Sequence, residues 1–83
     1  MFFTYILRSE SLGKFYVGHS QDLESRVDYH NSGNVAFTKR GTPWELVYSE
    51  SFSSRSEAMI RENEIKRWKS ATMIRRLIQT QRC

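Results

Sequence analysis

The sequence predicts an α+β fold, a small three-stranded sheet flanked by three helices in the order β-β-α-β-α-α. Two aromatic and β-branched runs, Phe2 to Leu7 and Phe15 to Gly18, are separated by Ser9-Glu10-Ser11-Leu12-Gly13-Lys14, which has turn composition. A third run, Trp44 to Glu50, alternates as a strand does. Around and after it, Ser20, Ser54 and Ser70 each precede apolar residues at helical spacing, the sequence signature of a capped helix.

In chain order, the first strand is expected over about Phe2 to Ser9. The second, about Phe15 to His19, pairs with it as an antiparallel hairpin through the Gly13 turn. Ser20 is the candidate cap of the first helix, with Asp22 in its opening turn and an end near Ser32-Gly33-Asn34; Leu23 and Val27 form its buried stripe. Trp44 to Glu50 completes a mixed or antiparallel sheet. Ser54-Arg55-Ser56-Glu57 matches a capping box and opens a second helix running to about Trp68, whose apolar side is Ala58, Met59 and Ile65 with Glu62 among them. A carboxylate on that side needs a partner. The third helix carries Met73-Ile74 and Leu77-Ile78 and is expected to pack behind the sheet.

Eighty-three residues with no linker, repeat or low-complexity tract fit a single domain over residues 1–83. So short a chain has little core to spare, so its site is expected to be a surface groove suited to a long polymer rather than an enclosed metabolite. Thirteen Lys and Arg against nine Asp and Glu give a net charge of +4, and the pI of about 9.6 suits a polyanion. The single cysteine, Cys83, allows no internal disulfide and no Cys-His zinc site, which fits a reducing, cytoplasmic setting. The apolar N-terminus ends at Arg8 and lacks the features of a signal peptide, and no run approaches a membrane span.

Asp22, Arg26 and His30 fall one helical turn apart and share a face on the flank of the Leu23/Val27 stripe, where they can border a groove with the hairpin. Each has a plain structural reading as well. Arg26 on such a flank is a solvated charge paired with Asp22, and His30 is a helix C-terminal residue favoured by the dipole. Tyr5 and Tyr16 are strand aromatics of the core, and Glu62 is a buried ion pair at a helix seam. Thr38-Lys39-Arg40-Gly41-Thr42 reads as a phosphate-clamping loop, and Lys66, Arg67, Lys69, Arg75, Arg76 and Arg82 make the C-terminal segment basic.

Tyr5, then Tyr16-Val17-Gly18, Arg26, His30 and Arg61-Glu62-Asn63, in that order, resemble the GIY-YIG nuclease family in its small single-domain form, over Phe3 to Leu77. Phe3-Thr4-Tyr5 stands where the family has Gly-Ile-Tyr. The resemblance implies a metal-dependent DNA endonuclease that hydrolyses phosphodiesters with a tyrosine-activated water. Tyr5, Tyr16, Arg26 and His30 are then catalytic, and Glu62 is the ligand of one divalent metal, Mg²⁺ or alternatively Mn²⁺. A hard cation that keeps its waters needs only one carboxylate.

In this reading Arg26, Lys14 and the metal lower a tyrosine pKa enough for base catalysis, and Arg26 holds the scissile phosphate. Lys14, Gly18, Thr38, Lys39, Arg40, Lys66, Arg67 and Lys69 form the nucleic-acid contact, Gly18 by letting a phosphate approach the backbone. His19 is a weaker candidate outside this set. Relatives of this kind include homing endonucleases, the incision subunit of nucleotide excision repair and branched-DNA resolving enzymes. The sequence leaves open single-stranded, branched or nicked DNA, a partner protein supplying specificity, and the oligomeric state. A non-catalytic or partner-dependent nucleic-acid-binding module, and direct attack by a tyrosine, are the competing readings.

Overall fold

The computed structural model describes residues 1–31 and 43–81. Thr38, Lys39 and Arg40, the expected helix end at Ser32-Gly33-Asn34, and Arg82 and Cys83 lie outside the described residues. The elements are β1 (Phe2–Ser9), β2 (Lys14–Ser20), α1 (Leu23–Asn31), β3 (Trp44–Phe52), α2 (Arg55–Trp68) and α3 (Ala71–Gln81), in the expected order.

Strand β1 lies in the middle of the sheet, in the order β2-β1-β3, and is antiparallel to both neighbours. That position explains its unbroken run of buried residues, Thr4 to Leu7: a central strand covered on both faces has no solvent side. Alternation sends Tyr5 and Leu7 to one face, where they meet Trp44, Tyr16 and the Leu23 and Val27 stripe of α1. Ile6 faces the other way and packs with Val17, Tyr48, Ile65 of α2 and Ile78 of α3, with Ile74 and Leu77 against them. The sheet therefore separates two small cores.

The hairpin turn closes with the Gly13 N–H donating to the Ser9 carbonyl at 2.8 Å, and Gly13 has φ 64°. Any other residue would be strained in that left-handed conformation. Strand β3 runs beyond the expected Glu50 to Phe52, because the length of β1 gives it a partner as far as Phe2. A register shift at Ile6/Leu7 interrupts that pairing.

The first helix is capped by Asp22 and not by Ser20. The Asp22 carboxylate accepts the Ser25 N–H at 3.1 Å and the Ser25 hydroxyl at 2.9 Å, while the Asp22 carbonyl accepts the Arg26 N–H at 3.2 Å. Ser20 instead accepts the Asp22 N–H and shapes the approach to the helix. Asp22 is thus committed to the cap and to Ser25, whose hydrogen bonds hold its carboxyl below the usual range. It is not the ion-pair partner expected for Arg26.

At the other end of α1 the Asn31 amide clasps strand β3, accepting the Trp44 N–H at 2.5 Å and donating to the Trp44 carbonyl at 3.0 Å. This fixes the last turn of α1, and with it His30, against the sheet.

Helix α2 starts at the expected box, with the Ser54 hydroxyl accepting the Glu57 N–H. Its inner face is Ala58 and Ile65; Met59, expected there, is 43% exposed because it lies about 100° further round the helix from Ala58. Met73 of α3 is likewise 42% exposed, so the inward stripe of that helix is Ile74, Leu77 and Ile78. Polar ties also bind α2 to the central and third strands. The Thr4 hydroxyl donates to the Ala58 carbonyl at 2.7 Å, and Arg61 donates to Glu50 at 2.9 Å while also bonding Glu64 and lying over Trp68. Among the described residues no helix is long and apolar enough to cross a membrane.

Candidate active site

Tyr5 and Gly18 face each other across the β1–β2 pair. A Cβ added at Gly18 would lie 2.6 Å from the Tyr5 hydroxyl oxygen and 3.2 Å from the Tyr16 ring. The phenol of Tyr5 therefore leans over β2 through the space a side chain would fill. The missing Gly18 side chain, expected to let a phosphate approach the backbone, here makes room for a tyrosine. Gly18→Ala is accordingly expected to push Tyr5 out of position, lowering stability by about 1–3 kcal/mol, and thermal melting measures it. Loss of the Tyr5 hydroxyl environment would appear as a shift of the His30 ring resonances.

Three rings meet here. Tyr5 and His30 are each 2% exposed, and the Tyr5 hydroxyl is 3.3 Å from His30 Nε2. The Tyr16 ring, half-buried, lies 4.7 Å from the imidazole and 6.5 Å from the Tyr5 ring between centroids, with Trp44 at 6.3 Å behind it. Arg26, one turn before His30 and exposed, holds its guanidinium 5.1 Å from the Tyr29 ring centroid.

Burial decides the charge state of this cluster. It raises the Tyr5 pKa to about 12, helped by Tyr16, although the Arg26 guanidinium pulls the other way. Burial also lowers the His30 pKa, and the nearby Arg26 charge adds to it. At neutral pH the pair is a neutral phenol against a neutral imidazole. Arg26 lowers the Tyr5 pKa, but burial outweighs it, so the net shift is a rise where a fall was expected from the nearby cations. Lys14 pairs with Ser9 at the turn end of the hairpin, roughly 13 Å along β2 from Gly18, which separates it from the Tyr5 hydroxyl.

The carboxylate arrives from the opposite face of the sheet. His19 follows Gly18, so alternation turns it toward α2, where His19 Nδ1 lies 2.5 Å from Glu62 Oε1. Lys66, one turn on, donates to Glu62 Oε2 at 2.5 Å. Burial pushes the Glu62 carboxyl up, but Lys66 and His19 outweigh it and hold it below the usual carboxylate range. Across the edge strand β2, Glu62 is near enough to Tyr5 for its charge to add, as the smallest cause, to the raised Tyr5 pKa.

Tyr5, Tyr16, Gly18, Arg26 and His30 thus gather on one face, with Glu62 close by on the other side of β2. Lys66 is held by Glu62 rather than free on the surface, and Arg67 and Lys69 are exposed at the end of α2. His19 and Asn31 belong to the arrangement and carried little weight in the sequence. The usable signal for His19 was its place directly after Gly18 in an alternating strand.

A divalent metal can be tested against these groups. Among the described residues no cluster of three or more His, Cys, Asp or Glu side chains is set to hold one. Glu62 nevertheless fits a hard cation that keeps its water, being an ionised oxygen donor whose Oε2 already accepts a cationic head group.

Residues 1–76 match the GIY-YIG catalytic domain, and the chain belongs to this family of DNA-cleaving nucleases, which generally use a divalent metal. Within it, the chain is 45% identical over 65 residues to a UPF0213 protein of Staphylococcus epidermidis, covering 77% of this chain and 78% of that one. A UPF0213 protein of Staphylococcus saprophyticus is 43% identical over the same coverage. The fold is shared with the solution NMR structure of a UPF0213 protein from Bacillus halodurans, at a TM-score of 0.60 and 34% identity, covering 96% of this chain and 85% of that one.

Proposed function

We propose that this protein is an endonuclease that hydrolyses DNA phosphodiesters with a water nucleophile, using the Tyr5–His30 pair as its base. The observation that carries this is the buried contact between the Tyr5 hydroxyl and His30 Nε2, held over Gly18 at the edge of the sheet. With its own proton on Nδ1, the neutral imidazole accepts the Tyr5 hydroxyl proton. The phenol oxygen takes a proton from the attacking water as its own passes to Nε2, so a phenol with a pKa of about 12 never has to ionise in solution. His30 leaves the step as an imidazolium, favoured by the negative charge growing on phosphorus.

Arg26 would clamp the scissile phosphate with its planar fork, and Tyr16, packed on His30, would orient the water or the phosphate. Glu62 would hold one divalent metal, Mg²⁺ or Mn²⁺, with His19 orienting its carboxylate; the bound ion would neutralise phosphate charge and assist departure of the leaving oxygen. Thr38, Lys39, Arg40, Arg67 and Lys69 supply phosphate contacts that give affinity without sequence information.

One observation favours a non-catalytic or partner-dependent DNA-binding module instead: the Lys66 ammonium already satisfies Glu62. Labelled single-stranded and branched DNA, incubated with and without Mg²⁺ and resolved on denaturing gels, decides between them. Released fragments that require Mg²⁺ are expected. Intact strands under every condition would leave the binding module, and a protein-linked strand would replace water with a tyrosine as nucleophile. Lys66→Met is expected to tighten Mn²⁺ binding by up to about fivefold, since an ion pair whose lysine is half-exposed is worth up to about 1 kcal/mol; calorimetric titration measures it.

A further inference from the structure

A groove of about 460 Å³ opens on the α2–α3 side of β2, directly beside the proposed active site. Phe15, Val17, Ile65 and Ile74 make its walls apolar, Tyr16 joins it to the tyrosine cluster, and Lys66 and Lys69 also line it, Lys66 with its ammonium on Glu62. We propose that this groove holds an unpaired nucleobase of single-stranded DNA, one nucleotide away from the phosphate being cut.

The chemistry of the lining carries the assignment. An apolar wall containing a half-buried aromatic ring offers a face on which any base can stack, without hydrogen-bond readout of its identity. The exposed Lys69 at the same groove fits a ligand whose flat apolar part is tethered to phosphates, whereas Lys66 is already matched by Glu62. Bases in an intact duplex are already stacked on each other and enter such a cavity only if flipped out, so the groove favours a strand that is already unpaired.

Lys69 adds an independent observation. It caps α2 in the left-handed conformation, φ 49° and ψ 35°, where glycine is the favoured residue. A lysine at that position puts a cation at the groove where the backbone alone would select no side chain at all. Continuity through Tyr16 places the base next to the reacting phosphate, so this inference deepens the nuclease reading and rests on it for the direction of the strand.

Binding read without turnover separates the two. In excess chelator, fluorescence anisotropy would compare a short single-stranded oligonucleotide, the same oligonucleotide with abasic sites, and a duplex of equal length. The wild-type protein is expected to bind the base-bearing strand about tenfold more tightly than the abasic one, with quenching of a 2-aminopurine placed in it. Phe15→Leu, which keeps an apolar side chain in the core, should erase that tenfold difference and leave abasic binding unchanged. Lys69→Asn, which suits the left-handed cap, should weaken both strands equally.

Equal affinity of the wild type for base-bearing and abasic strands overturns the proposal, and this comparison needs no variant to fold. Duplex binding as tight as single-stranded binding overturns it too. Base-dependent binding in a protein that cuts nothing would sustain the groove and remove the nuclease reading. Cutting without base-dependent binding would do the reverse.

Discussion

Tyr5→Phe is expected to remain folded, bind DNA and lose cleavage by about 10²–10⁴-fold, the usual contribution of a positioned general base. The substitution removes one hydroxyl and almost no packing area. Its structural cost is the hydrogen bond to His30, about 0.5–1.5 kcal/mol, with a further penalty because His30 Nε2 is left buried without that partner. Melting temperature therefore reports the structural part and cleavage rate the chemical part. The pH profile separates them further. His30 accepts a proton only when neutral, and its pKa lies below the ordinary value, so the wild-type rate should fall as pH drops through the acidic side of 6.5 and stay flat across neutrality. Because the Tyr5 pKa is raised to about 12, no rise from tyrosinate formation is expected near pH 10. A Tyr5→Phe protein that cuts at the wild-type rate would make Tyr5 a core residue and remove the hairpin as the platform of catalysis. Tyr16→Phe and Arg26→Ala, measured alongside, should also lose cleavage while keeping the fold.

Much of this architecture could be read from the sequence, because strand alternation and helix spacing are local rules. Tyr5, Tyr16 and Gly18 share a face by alternation once the hairpin is paired, and Arg26 and His30 share one by the helical repeat. What escaped was set by packing between distant segments. Ser20 and Asp22 both carry a capping oxygen, and only the backbone path, with the Asp22 carbonyl receiving the Arg26 N–H, selects Asp22. The direction of the Tyr5 pKa depends on how completely α1 and Tyr16 enclose the ring, which spacing does not report; cations nearby suggested a fall, and burial produces a rise. Lys14 illustrates the same limit, being close to Tyr16 along the chain and far along the strand from Gly18, over which the Tyr5 hydroxyl lies.

The pairing of His19 with Glu62 joins residues 43 positions apart around an edge strand, a contact visible only when the order β2-β1-β3 is known. Met59 failed for a simpler reason: a helix lying on a sheet buries a narrow stripe, and a residue beside Ala58 falls outside it.

Glu62→Gln should be the most damaging single change to activity with the least change in shape. The amide matches the carboxylate in size and still reaches His19 and Lys66, but it lacks the charge that attracts a divalent cation. Cleavage is expected to fall to background, single-stranded DNA binding in chelator to persist, and calorimetric Mn²⁺ binding to disappear. The purely structural reading of the same residue predicts otherwise. If Glu62 only anchors His19 and Lys66 at the α2 seam, the mutant should lose stability and bind metal no worse than the wild type, with activity falling only as the folded fraction falls. A folded Glu62→Gln protein that still cuts DNA at the normal rate in Mg²⁺ would rule out Glu62 as the metal ligand, whereas a folded protein that neither binds Mn²⁺ nor cuts would tie both losses to one carboxylate.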